Sequence, residues 1–176
     1  MGWPEIECGS EQGIGGFEPL AAPISAVLDS LEIALTIGSL CESPIEVDLG
    51  VQLTKAIKMI PGGGFSLEHQ YCLGPYRYDL ALIREGLPAP IALIECDGKE
   101  FHQSEQQVAN DLAKDRLAQN EKIPLLRFSG SEIYRDVKAC VFKIIRTLRV
   151  NGYLTQLQWH VLEAALPRCR PFVGIA

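Results

Sequence analysis

The sequence predicts an α/β fold, a mixed β-sheet flanked by helices. Segments with apolar residues at helical spacing alternate with apolar runs too short for helices, in the order helix, three strands, helix, strand, helix. Polar and acidic residues gather at the ends of the second and third strands, where a site would open.

Residues 1 to 22 are rich in Gly, Pro and Glu, and Gly13-Ile14-Gly15-Gly16 lacks the preceding strand and following Lys-Ser or Lys-Thr of a phosphate loop. Ile24, Val27, Leu28, Leu31, Ala34 and Leu35 recur at helical spacing, predicting an amphipathic helix over 24–37 that packs on the core or on a partner. Ser43-Pro44-Ile45-Glu46 reads as an N-cap, a proline at the first helical position and an acid in the first turn, opening a helix to about Met59. Pro61-Gly62-Gly63-Gly64 ends it.

Phe65 to Cys72 reads as the first strand, Leu73-Gly74-Pro75 as a turn and Tyr76 to Ile83 as the second strand. Ile91 to Asp97 is the third. Ser104 with Gln107 is a capping-box signature for a helix to about Asn120, and Lys122 to Phe128 reads as the fourth strand. Ser131 is expected to cap a long helix to about Val150, stopped by Asn151-Gly152, with a short helix over 154–166.

The chain has 176 residues and is 47% hydrophobic, enough for one sizeable core. The expected organisation is an extension over 1–40, a domain over 41–150, and a C-terminal helix and tail over 151–176. No apolar stretch approaches the roughly 20 residues of a membrane span, and Glu5 and Glu7 stand where a signal peptide would be basic, so a cytoplasmic protein is expected. The six cysteines form no CxxC pair and read as reduced thiols.

A net charge of −6 argues mildly against a nucleic-acid partner. The distribution softens that objection. Residues 1–98 hold 14 acidic and 4 basic side chains, whereas residues 99–149 hold 7 and 10, so phosphate contacts are expected from the second half.

Side chains alternate along a strand, so Glu95, Asp97 and Lys99 emerge on one face at the end of the third strand, and Asp79 in the second brings another carboxylate within reach. Hard oxygen donors crowded at strand ends suit Mg²⁺ or Mn²⁺. His102 is a candidate general acid, phosphate contact or surface histidine, whereas His69 and His160 read as structural. Lys114 and Arg116 either solvate a helix face beside Asp111 or contact phosphate. Arg77 is a further candidate contact between Tyr76 and Tyr78, whose rings read as packing.

Ser43-Pro44-Ile45-Glu46, Gln70, Arg77-Tyr78-Asp79, Glu95-Cys96-Asp97-Gly98-Lys99-Glu100-Phe101-His102, Asp111 with Lys114-Asp115-Arg116, and Leu126-Arg127-Phe128 follow one another in this order. The set resembles the PD-(D/E)XK nuclease superfamily, and more closely its small members related to the very-short-patch-repair endonuclease. The match covers roughly residues 43–146. The resemblance implies a restriction-endonuclease-like αβββαβα core and metal-dependent hydrolysis of DNA, by nicking or cleavage, in repair, restriction or mobile-element processing. It implies Asp79 and Glu95 as ligands of Mg²⁺ or Mn²⁺, the Cys96 carbonyl and Asp97 as further ligands, Glu46 acting through the metal's water shell and Gln70 orienting water or phosphate.

The chain departs from the superfamily at its lysine. With Glu95 as the acid of the E-x-K unit, Asp97 stands at the lysine position, and Lys99, His102 or Lys114 must supply positive charge; the alternative register reads Asp97-Gly98-Lys99 as D-x-K. Net acidity and the missing lysine leave open a second expectation, a catalytically inactive DNA-binding or assembly module. A homodimer or protein partner would then dock through the N-terminal helix. Paired-acid glycoside hydrolysis fits poorly, because Glu95 and Asp97 share one strand face.

Overall fold

A computed structural model describes residues 24–98 and 105–166, so Lys99, His102 and the Ser104 half of the expected capping box lie outside the described residues. The elements are α1 (Ile24–Gly38), α2 (Pro44–Lys58), β1 (Phe65–Leu73), β2 (Tyr76–Arg84), β3 (Ala92–Asp97), α3 (Glu105–Asn120), β4 (Leu125–Ser129), α4 (Gly130–Val150) and α5 (Gln156–Ala165). Their order is the expected one. The strands form one mixed sheet in the order β1-β2-β3-β4. β1, β2 and β3 pair antiparallel, and β3 pairs β4 in parallel across the connection that carries α3. No described helix is long and apolar enough to cross a membrane.

The sheet buries both faces. On one, Leu80, Leu82, Ile94, Cys96, Leu126 and Phe128 pack against Leu49, Leu53 and Ile57 of α2 and Ile133, Ile144 and Ile145 of α4. On the other, Tyr78, Ala81 and Leu93 pack against Ala118 of α3 and Ile123. Ile91, Ala92, Leu93 and Ile94 are all buried, which is why that run is continuously apolar. On α1, Ile37 is buried while Leu28, Leu31 and Leu35 are exposed.

One irregularity sets up the site. Phe65 and Leu67 of β1 pack toward α2 and α4, yet Tyr71 and Leu73, at even spacing from them, pack on the α3 side. Tyr78 and Leu80 of β2 divide between the two layers in the same way. Alternation along a strand forbids this unless the ladder resets between. It resets at Gln70 and Asp79: His69 pairs Leu80 and Tyr71 pairs Tyr78, while the two residues between them are unpaired. Gln70 has φ +52°, a left-handed conformation that non-glycine residues seldom adopt.

The start of β4 and the start and interior of α4 differ from the sequence expectation. β4 begins at Leu125 because Lys122 has φ +59° and the Ile123 amide donates to the Ala118 carbonyl, so 121–123 terminate α3. The N-cap of α4 is Ser129, not Ser131: the Ser129 hydroxyl accepts the Glu132 amide, and the Glu132 carboxylate accepts the Ser129 amide at 2.9 Å. Ser129 also closes the ladder opposite Asp97, so its sequence position reads as strand. α4 is also broken at Asp136 (φ −162°, ψ 83°), whose carboxylate accepts the Ala139 amide and starts the helix again.

Ser129→Ala is expected to lower unfolding free energy by about 1 kcal/mol, as loss of a cap does. Ser131→Ala should stay within about 0.5 kcal/mol of wild type. Urea denaturation of both variants checks the assignment, and equal losses would refute it.

Candidate active site

The site lies where β2 and β3 separate. Their ladder pairs Leu80 with Ile94, and one step further the Cys96 amide donates to Asp79 Oδ2 at 2.7 Å. A side chain therefore takes the place of a ladder carbonyl and holds Asp79 against β3. Glu95, on the α3 face of β3, is 6% exposed and accepts from Lys114 Nζ at 2.7 Å. Lys114 reaches it from α3, whose position is fixed by the Tyr78 hydroxyl donating to the Lys114 carbonyl at 3.1 Å. The Lys114 ammonium also lies 5.3 Å from the centre of the Tyr78 ring.

Glu46 approaches from the α2 side and is 5% exposed. The cap that starts α2 also fixes this residue: Ser43 donates to Glu46 Oε1 at 2.6 Å, and the Glu42 amide donates to Oε2 at 3.0 Å. Gln70 Nε2 donates to the same Oε2 at 2.9 Å. The Gln70 amide oxygen is buried and has no hydrogen-bond partner among the described residues. Burying such an acceptor unsatisfied costs about 1–3 kcal/mol, and its left-handed backbone adds strain.

Asp97 sits differently. Arg127, beside Glu95 in the β3–β4 register, approaches Asp97 at 3.7 Å, Asp111 at 3.6 Å and Asp115 at 3.1 Å. Asp111 therefore pairs with Arg127, and Lys114 with Glu95, in place of the i, i+3 pair expected along α3. Arg116 is exposed. Arg77 is exposed and bonded to Glu42 at 2.9 Å. His69 contacts the Cys41 sulfur through Nδ1 at 3.3 Å; burial pushes the Cys41 thiol up to about 11 and the imidazole below its usual value, so the pair is neutral. His160 is exposed and contacts Gln156. Cys41, Cys72, Cys96 and Cys140 are free thiols.

Comparison with protein-family models, curated proteins and solved structures finds no match to this chain. The chemistry therefore rests on the residues themselves. The structure brings Glu46, Gln70, Asp79, Glu95 and Lys114 to one end of the sheet, and turns Asp97 toward Arg127. Among the described residues, no three His, Cys, Asp or Glu side chains stand close enough to hold a metal ion. Glu46 is hydrogen-bonded to its own cap and to Gln70, and Asp97 lies by Arg127. Arg127 is the residue whose part the sequence least announced. Its one signal was a cation inside the apolar Leu-Leu-Arg-Phe run.

Burial raises the Asp79 carboxyl above its ordinary value; the Cys96 amide opposes the rise and the Glu46 charge adds to it. Burial likewise raises Glu95, against the hydrogen bond from Lys114 and with the charge of Asp79. A carboxyl with higher proton affinity in the native state binds more proton there than in the unfolded chain. Its contribution to stability therefore falls as pH rises from the ordinary value through the raised one. Asp79→Asn, which keeps an acceptor for the Cys96 amide, is expected to raise the melting temperature at pH 7, with the gain shrinking toward pH 4. Glu95→Gln should lower it, because Lys114 loses its charged partner. Calorimetry of both variants across pH 4–8 measures this; a destabilised Asp79→Asn at pH 7 would refute it.

Proposed function

We propose that this chain is a metal-dependent endonuclease hydrolysing DNA phosphodiester bonds, with Asp79 and Glu95 holding Mg²⁺ or Mn²⁺. The observation that carries the reading is Gln70, a strained residue tied to Glu46, unpaired across from Asp79, with a buried amide oxygen that no described residue satisfies. Strain and an orphaned acceptor beside two carboxylates of raised proton affinity are features of a site that awaits a ligand.

The donors are hard oxygens, and hydrogen bonds to described residues engage Asp79 only through Oδ2 and Glu95 only through Oε1. A divalent ion there would activate a bound water and offset charge on the phosphate. The Cys96 carbonyl is a further candidate ligand. Glu46 holds Gln70 in place, and the Gln70 oxygen would accept a hydrogen bond from the attacking water and so orient it. Lys114 supplies the positive charge that Asp97 cannot. Lys99 and His102 are further candidates for phosphate contact, and Arg116 offers an exposed cation on α3. The exposed leucines of α1 suit a protein partner or a second copy, and a cytoplasmic location fits the free thiols.

The second reading, a nuclease fold kept as a DNA-binding or assembly module, draws on one observation: Lys114 and Arg127 pair with Glu95 and Asp97, two of the proposed ligands.

With Mn²⁺, the protein is expected to convert supercoiled plasmid to nicked or linear forms, and Asp79→Ala or Glu95→Ala to slow this by about a hundredfold or more. Gel analysis of the time course decides it. Conversion that persists in the double variant would belong to a contaminant and remove the proposal. Gln70→Ala should cut the rate by about tenfold to a hundredfold while Mn²⁺ affinity measured by calorimetry stays near wild type. Loss of Mn²⁺ binding in that variant would instead make Gln70 part of the metal's support.

A further inference from the structure

Lys114 occupies the place where a cation is needed. Its ammonium lies 2.7 Å from Glu95 Oε1, with the lysine side chain 19% exposed and the glutamate side chain 8% exposed. Its charge is also felt at Asp79, so one ammonium serves both proposed ligands. The Tyr78 hydroxyl on the Lys114 carbonyl and the Tyr78 ring near its ammonium fix the lysine there from both ends. A carboxylate of this burial keeps its charge at least cost beside a cation, and Lys114 is that cation for Glu95.

We infer that Lys114 is a built-in stand-in for the divalent cation: it neutralises Glu95 while no metal is bound, and Mg²⁺ or Mn²⁺ binds by driving it off that carboxylate. This rests on the reading that Asp79 and Glu95 hold a metal. An ammonium and a divalent ion on one small carboxylate repel strongly in a partly buried setting, so the arrival of one weakens the other. The exchange also links metal to substrate. The displaced ammonium stays tethered beside the site by Tyr78, free to meet the negative phosphate that follows the metal.

A lysine that merely contacted phosphate would leave metal affinity unchanged when removed. A stand-in cation would raise it. Calorimetric titration of the full chain with MnCl₂ alone, without DNA, reads this directly. Lys114→Met is expected to bind Mn²⁺ about tenfold more tightly than wild type, and Lys114→Arg, which keeps the charge, to remain close to wild type. The same linkage appears in melting: Lys114→Met should be less stable than wild type without metal and gain more from saturating Mn²⁺. Lys114→Gln serves as a second neutral variant should the methionine protein fold poorly. Unchanged or weaker Mn²⁺ binding in both neutral variants, with wild type binding normally, would overturn the exchange and leave the metal site standing. Failure of wild type and neutral variants alike to bind Mn²⁺ would overturn both.

Discussion

A carboxylate taken out of water must meet hydrogen-bond donors or a positive charge, and Glu95 meets the Lys114 ammonium nineteen residues further along the chain. That ion pair joins β3 to α3 across the opening of the sheet. It is expensive to form from two solvated ions and more expensive to break one partner at a time. Its neighbours are arranged around it: Tyr78 braces the lysine, Arg127 takes up Asp111 and Asp115 of α3 and Asp97 of β3, and Asp79 is held across the gap by the Cys96 amide. A fold built for stability alone would place apolar side chains here, as it does along the rest of β3.

The second constraint is the paired reset of β1 and β2 at Gln70 and Asp79. By breaking the alternation in both strands at one level, the chain releases two polar side chains from the ladder and lets them face the strand ends. The register is the same on both sides of the break, so one residue of each strand leaves the pairing together, without a bulge. Tyr78 is moved onto the α3 side by the same reset, where its hydroxyl finds the Lys114 carbonyl. Backbone strain at Gln70 and the bracing of Lys114 are thus two consequences of one local event.

Much of the architecture was legible in the sequence because its signals are local and strong. Ser43-Pro44 sets the start of α2, Gly74-Pro75 the β1–β2 turn, and the apolar run before Glu95 the buried strand β3. The Asp79, Glu95, Glu46 and Gln70 neighbourhood was legible through the order of its motifs. The reset was not, because the odd positions of β1 from Phe65 to Leu73 are uniformly compatible with a single buried face. The Ser129 cap was hidden by serving also as the last residue of β4. The pairing of Lys114 with Glu95 was hidden because Asp111, three residues earlier on the same helix, offered a nearer partner in sequence, while Arg127 took that acid in space. Long-range ion pairs depend on how helices dock, and no residue spacing encodes that docking.

If the metal proposal holds, Asp79 and Glu95 share a divalent ion. Crystals soaked in MnCl₂ and measured at the manganese absorption edge would reveal it. An anomalous peak is expected about 2.1 Å from an oxygen of each carboxylate, with the Lys114 ammonium withdrawn from Glu95. Manganese-saturated crystals with no peak between the two carboxylates, and with Lys114 still bonded to Glu95, would contradict it.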